Sequence, residues 1–355
     1  MTVVFPPLGL LYDPSVLNHQ TPPGHPERPA RVESVVSGLQ NTLLWDRAAH
    51  LPVTPATRDQ VRLVHTEAHL RLIEETCAEG GGYVDGGDTY ACPRSWEAAL
   101  VAAGAAIGAV DAVLNDELGS AFAIVRPPGH HATSAGPMGF CLLNNAAAAA
   151  AHAIAVHGLE RVLIVDFDVH HGNGTEDIFY EDSRVLYFST HQSPAYPGTG
   201  QAQYIGEGKG KGYTVNVPLP AHIGDDGFLA AFDEILLPIA ERYQPQLVIA
   251  SAGYDAHWRN SVFVQGIDER MTTTGFYALS ERLQEISNKH CPGNLVGILE
   301  GGYDLDALAL GVRQTLSAWT GEPPVQDTIG APPGGADSAE TLERLFTRIR
   351  GIHGL

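Results

Sequence analysis

Positive charge is scarce in this chain: 355 residues carry 21 Lys and Arg against 41 Asp and Glu, a formal net charge of −20. A field of that sign repels phosphate backbones and anionic lipid surfaces and attracts cationic ligands. Direct nucleic-acid binding is therefore not expected. Cysteine is sparse as well. Cys77, Cys92, Cys141 and Cys291 lie far apart with no CxxC pair, which argues against a cysteine metal site or a disulfide framework and for reduced, buried thiols. No stretch reads as the ~20 apolar residues that a membrane span needs, and the run Ala146–Ala151 is cut short by Asn144, Asn145 and His152. The opening Met-Thr-Val-Val-Phe-Pro-Pro has no basic segment leading into an apolar one, so no signal peptide is expected. A cytoplasmic protein without membrane association follows as the expectation.

What is present is enough for a large core. Hydrophobic residues make up 44% of the chain, and 39 glycines and 24 prolines are spread along it, a composition of ordered turns rather than disorder. Residues 121–126, 161–168, 184–190, 246–251 and 294–299 are nearly continuous in Val, Ile, Leu, Phe and Ala. They read as strands covered on both faces. Between them, 95–114, 145–157, 225–242 and 272–288 read as helices, the third with the acidic first turn Asp225-Asp226 that suits a helix dipole. This alternation predicts an α/β fold with a mostly parallel sheet in one domain spanning 1–355. Residues 321–336 read as a linker to a short C-terminal helix over 338–350.

In open parallel sheets, functional residues gather beyond the carboxyl ends of the strands, and the unusual motifs sit there. Val165-Asp166-Phe167-Asp168-Val169-His170-His171-Gly172-Asn173-Gly174 ends one strand. Strand periodicity puts Asp166, Asp168 and His170 on one side. Two carboxylates and an imidazole leaving an apolar strand together need compensation, by a cation or by a hydrogen-bonded cluster. Oxygen and nitrogen donors with open positions suit catalytic Zn²⁺. Other strands deliver Asp255, the pair His130-His131 after Arg126-Pro127-Pro128-Gly129, and Tyr303 after Glu300-Gly301-Gly302. Together these read as Asp₂His metal ligation, a histidine pair for proton transfer and a phenol for oxyanion stabilisation. By contrast, His65, His69, His152, His157 and His222 show no partner pattern. His171 points away from His170, and His191 and His257 read as structural.

Arg-Pro-Pro-Gly-His-His, Asp-Phe-Asp-Val-His-His-Gly-Asn-Gly-Thr, Tyr-Pro-Gly-Thr-Gly, Ser-Ala-Gly-Tyr-Asp-Ala-His and Glu-Gly-Gly-Tyr resemble the zinc-dependent histone deacetylase family. The likeness runs in order from about Tyr12 to Trp319, and Asn173 and Glu300 resemble its class II and bacterial amidohydrolase branch. It implies an arginase–deacetylase fold with a central sheet of about eight strands. It also implies Asp168, His170 and Asp255 as ligands of one Zn²⁺, His131 as general base and acid, and His130 as its electrostatic partner. By the same resemblance Asp166 orients His130 and Tyr303 polarises the acyl carbonyl. Gly139, Phe140 and Tyr196 line a substrate tunnel, and Arg31 lines an acetate exit channel. A structural K⁺ falls at Asp166 and Ser189 with the backbone of Asp168 and His170.

The implied substrates are acyl-lysine peptides or proteins, with acylated polyamines as the alternative; a homo-oligomer is compatible with either. Two departures bear on this. Asn173 denies His131 a carboxylate partner, and Ala91 stands where relatives grip the substrate backbone with an acid. A binuclear manganese ureohydrolase would need more carboxylates, and Gly172 and His257 stand where they would be. A non-catalytic binder of acylated amines is the remaining rival.

Overall fold

The computed structural model describes residues 7–115 and 118–355. Eight parallel strands form one sheet: β1 (Leu8–Leu11), β2 (Ala49–Leu51), β3 (Ser120–Ala123), β4 (Val162–Asp166), β5 (Val185–Gln192), β6 (Thr214–Leu219), β7 (Leu247–Ala252) and β8 (Leu295–Leu299), in the order β2-β1-β3-β8-β7-β4-β5-β6. The five strands expected from the sequence are the central ones, β3, β8, β7, β4 and β5, and almost every residue in them is fully buried. Helices cover both faces. One layer holds α1 (Ala30–Gln40), α4 (Thr273–His290) and α5 (Leu305–Trp319); the other holds α2 (Ser95–Leu114) and α3 (Asn145–His157). A final helix, α6 (Glu343–His353), follows a one-turn 3₁₀ segment at Ala339–Leu342.

Two expectations need correction. The helix expected over 225–242 is segmented into Asp225–Ala231, a π-turn at Phe232–Leu236 and Leu237–Tyr243. Pro238, which has no N–H to give the preceding turn, is the second residue after the widened turn. Next, α2 is in fact long and apolar enough to span a membrane by length and composition, with a mean hydropathy of 1.7. Its alanines instead pack against β1, β3, β8 and α3 as a core helix. Residues 321–336, which lead to α6, are tied back to the body of the fold: Gly330 O accepts from Trp258 Nε1, and Pro333 and Gly335 accept from Arg270.

Candidate active site

β4 ends at Asp166, so alternation stops there. The next residues coil instead. Asp168 N donates to Asp166 Oδ1 (3.2 Å), and His170 N donates to Asp168 Oδ1 (3.0 Å). This coil, not strand periodicity, separates the three residues by role. Asp166 turns toward His130, whose Nδ1 lies 3.1 Å from its Oδ2, and Tyr187 on β5 donates to the same oxygen at 3.0 Å. Asp168 and His170 turn toward Asp255 from the loop after β7, and one ligand atom from each lies within 4.8 Å of the others.

The three residues fit a cation. His170 Nδ1 is 3.0 Å from Asp168 Oδ1 and 3.1 Å from Asp255 Oδ2, yet Asp255 Oδ2 is buried and receives no well-directed hydrogen bond. The cradle is built on missing side chains: a Cβ at Gly253 would meet Asp168 Oδ2 at 2.0 Å, and one at Gly301 would meet Asp168 Oδ2 and Asp255 Oδ2 at 2.4 Å. Burial and the neighbouring Asp168 charge push Asp255 up, an unfavourable pairing of carboxylates that a bound cation relieves. A neighbouring group, His130, Cys141 and Glu300, is less suited. Burial holds the Cys141 thiol well above its ordinary range, and Glu300 already accepts from Gly129 N, His130 N and Ser251 Oγ. Burial raises Glu300 to about 7.

The two adjacent imidazoles are driven apart. Burial alone would lower both. At His130 the Asp168 and Asp166 charges outweigh it and raise the group to about 10. At His131 burial is reinforced by His130 and His170, and the group falls well below its usual range. His131 Nδ1 lies 2.8 Å from Asn173 Oδ1, and Asn173 Nδ2 points at His131 O (3.4 Å) and Met138 Sδ (3.3 Å), which fixes the amide. With Nδ1–H donating, His131 Nε2 keeps its lone pair.

A cleft of about 320 Å³ opens over these groups, lined by His131, His170, Phe140, Tyr196, Tyr303 and Asp88 among others. Gly139 and Phe140 both adopt left-handed backbone (φ 56° and 68°), and a Cβ at Gly139 would strike His131 Cδ2 at 2.4 Å. Only glycine fits beneath the imidazole, and the turn brings the Phe140 ring to 6.0 Å from Tyr303. Thr89 Oγ1 steadies the strained residue by accepting from Phe140 N at 3.0 Å while bonding Asp85 at 2.6 Å. The Tyr196 ring stands 5.1 Å from His131.

Tyr303 is buried, and burial and the Asp255 charge push its phenol well above the ordinary range, so it stays protonated. Beneath its ring lies the Arg31 guanidinium, 5.1 Å from the centroid, bonded to Gly302 O, Glu300 O and Glu27. Ser189 pairs with Asp166 in the β4–β5 register, and its hydroxyl bonds His191 Nδ1 (2.9 Å).

Several contributors escaped the sequence reading. Asn260 Oδ1 accepts from Tyr303 N (2.7 Å) and Asp304 N (2.9 Å), fixing the loop that carries the phenol. Glu27 joins Arg31 to Arg126, and the buried Glu27 carboxyl, raised by burial, is brought well below its usual value chiefly by Arg126. Phe263, Val264 and Gln265 form part of the mouth. Among the histidines expected to lack partners, His65 and His69 bond the backbone around the His131 loop, whereas His152 and His157 share Asp111.

The sequence profile of the histone deacetylase domain matches residues 25–319. The chain is 42% identical over 330 residues to "Histone deacetylase 10, chloroplastic" of Oryza sativa subsp. japonica, covering 88% of this chain and 74% of that one. It is 36% identical over 310 residues to "Polyamine deacetylase HDAC10" of Homo sapiens, covering 84% and 45%. Among solved structures, the crystal structure of the HDA15 HD domain matches with a TM-score of 0.87 and 34% identity over 98% of this chain and 94% of that chain. The fold is the arginase–deacetylase fold.

Proposed function

This chain belongs to the histone deacetylase family of hydrolases, and we propose that it deacylates acyl-lysine side chains by metal-assisted water attack. The observation that carries the reading is the convergence of Asp168 and Asp255 on His170, which lines a cleft whose walls also hold His131 and Tyr303. Asp168, His170 and Asp255 would hold one Zn²⁺, which when bound supplies Lewis-acid polarisation of the acyl carbonyl and acidifies water.

The chain's own residues do the rest. His131 Nε2, held neutral by burial and by the charge on His130, takes the proton of the attacking water and then protonates the leaving amine. The same influences make its conjugate acid strong, which favours that second transfer. Tyr303 donates to the oxyanion as the carbonyl carbon becomes tetrahedral. Phe140 and Tyr196 flank the alkyl chain. Asp166 and Asn173 hold the two imidazoles in place.

Val262 and Phe263, which are 80% and 41% exposed, put apolar surface beside the mouth and favour a peptide-borne lysine. One feature favours acetylpolyamines instead: Ala91 is buried, and the acid at the mouth is Asp88, which can meet a second ammonium group. Comparing kcat/KM for acetyl-lysine peptides with acetylputrescine and acetylspermidine decides between them. The reading predicts at least a tenfold preference for the peptides, and the reverse preference overturns it. A ureohydrolase is disfavoured because Gly172 and His257 supply no carboxylate for a second ion.

A further inference from the structure

At the far end of the molecule from the cleft, Asp111 near the end of α2 meets two histidines of α3. Its Oδ1 lies 2.8 Å from His152 Nε2 and 2.7 Å from His157 Nε2, and one ligand atom from each residue lies within 4.8 Å of the others. We propose that Asp111, His152 and His157 form a second, peripheral site for a divalent transition metal of the zinc type.

The spacing is the first reason. Residues five apart lie about 140° apart around an ideal helix, so nothing in α3 itself brings His152 and His157 to one atom. Both side chains converge on Asp111. Zinc with nitrogen and oxygen ligands at about 2.0–2.1 Å keeps tetrahedral donors roughly 3.3 Å apart, so the carboxylate must withdraw only about half an ångström. The Asp111 side chain can do so, being 42% exposed, while His152 is held at 6% exposure. Exposure on the Asp111 side leaves a fourth position for water.

Charge is the second reason. His157 is the last residue of α3, and Asp111 lies in the last turn of α2. Two helix carboxyl ends therefore face the cluster, and their dipoles favour a cation there. The net charge of −20 adds a long-range attraction of the same sign. A bound ion would tie α2 to α3 near the ends of both helices. It would not touch catalysis: α3 begins at Asn145, against Gly129 of the histidine-pair loop, and His157 lies about 18 Å further along the axis.

The test is zinc content by mass spectrometry after reconstitution at micromolar free zinc, for wild type, His157→Gln and Asp111→Asn. Two zinc ions per wild-type chain and one per chain in each variant is the expected result, with deacylase kcat/KM unchanged within twofold. In parallel, zinc added beyond the first equivalent should raise the Tm of wild type and of neither variant. Melting in chelator checks that both variants fold. One zinc in wild type, or two retained in both variants, overturns the proposal and leaves a hydrogen-bonded helix clamp.

Discussion

Asn173 decides how His131 titrates. A neutral amide oxygen accepts its Nδ1–H at 2.8 Å, so burial and the His130 and His170 charges outweigh the Asp168 carboxylate that opposes them. Asn173→Asp puts a carboxylate on that contact, and a carboxylate favours the imidazolium. The acidic limb of the kcat/KM profile should move to higher pH by about one unit or more, with activity at neutral pH reduced. A pH–rate profile of the variant checks this, and an unmoved limb removes His131 from the base role. Gly253 sets a second residue-scale expectation. The Cβ of Gly253→Ala would fall 2.0 Å from Asp168 Oδ2, so the carboxylate must swing out of the cradle. Metal affinity should drop at least tenfold in a competition with a chelator, although no ligand has changed.

The motif residues were legible because each carries its chemistry in its own side chain, and the structure brings every one of them to the same end of the sheet. Their supports were not. Tyr187 reaches Asp166, Asn260 holds the Tyr303 backbone, and Glu27 bridges Arg31 and Arg126. Each is an ordinary residue in its local context, and its partner lies far away or across a loop.

Individual elements show the same division. The central strands announce themselves by nearly continuous apolar runs, but β1, β2 and β6 do not. β2 is three residues long, and β6 carries Pro218, tolerated because this strand is at the sheet edge. Helix α3 began where expected, yet what anchors its start could not be read from sequence: His65 Nε2 accepts from Asn144 N (2.9 Å) while its Nδ1 faces Thr133 O (2.9 Å). Those two contacts require the neutral ring. Burial and the neighbouring His69 lower His65 to about 3.

The unfolded chain takes up this proton near pH 6.5 and the folded chain does not, so the contribution is intact above about pH 6.5 and is lost as pH falls toward 3. Each unit in that window costs about 1.4 kcal/mol. Urea midpoints measured from pH 7 to pH 4 should fall less steeply for His65→Gln than for wild type; parallel slopes would contradict the assignment.

At the scale of the whole molecule, the parallel sheet carries the histidine pair, the metal-type cluster and the phenol on the ends of β3, β4, β7 and β8, which are neighbours in the sheet order. Buried carboxylates Asp166, Asp168, Asp255 and Glu300 crowd this one edge, and the fold tolerates them through His130, His170, backbone N–H groups and the cation the cradle fits. Sequence order hides that adjacency, since β8 and β3 are paired across nearly half the chain. The most direct measurement of the central claim is acetate release from an acetyl-lysine peptide by metal-stripped protein titrated with zinc, for wild type, Asp255→Asn and Tyr303→Phe. Activity should be absent without metal and rise hyperbolically to a plateau in wild type. It should fail to return in Asp255→Asn, and in Tyr303→Phe it should return about 10²–10³-fold lower. Full activity in the stripped protein, or a sigmoidal rise demanding two ions at the catalytic centre, would contradict it.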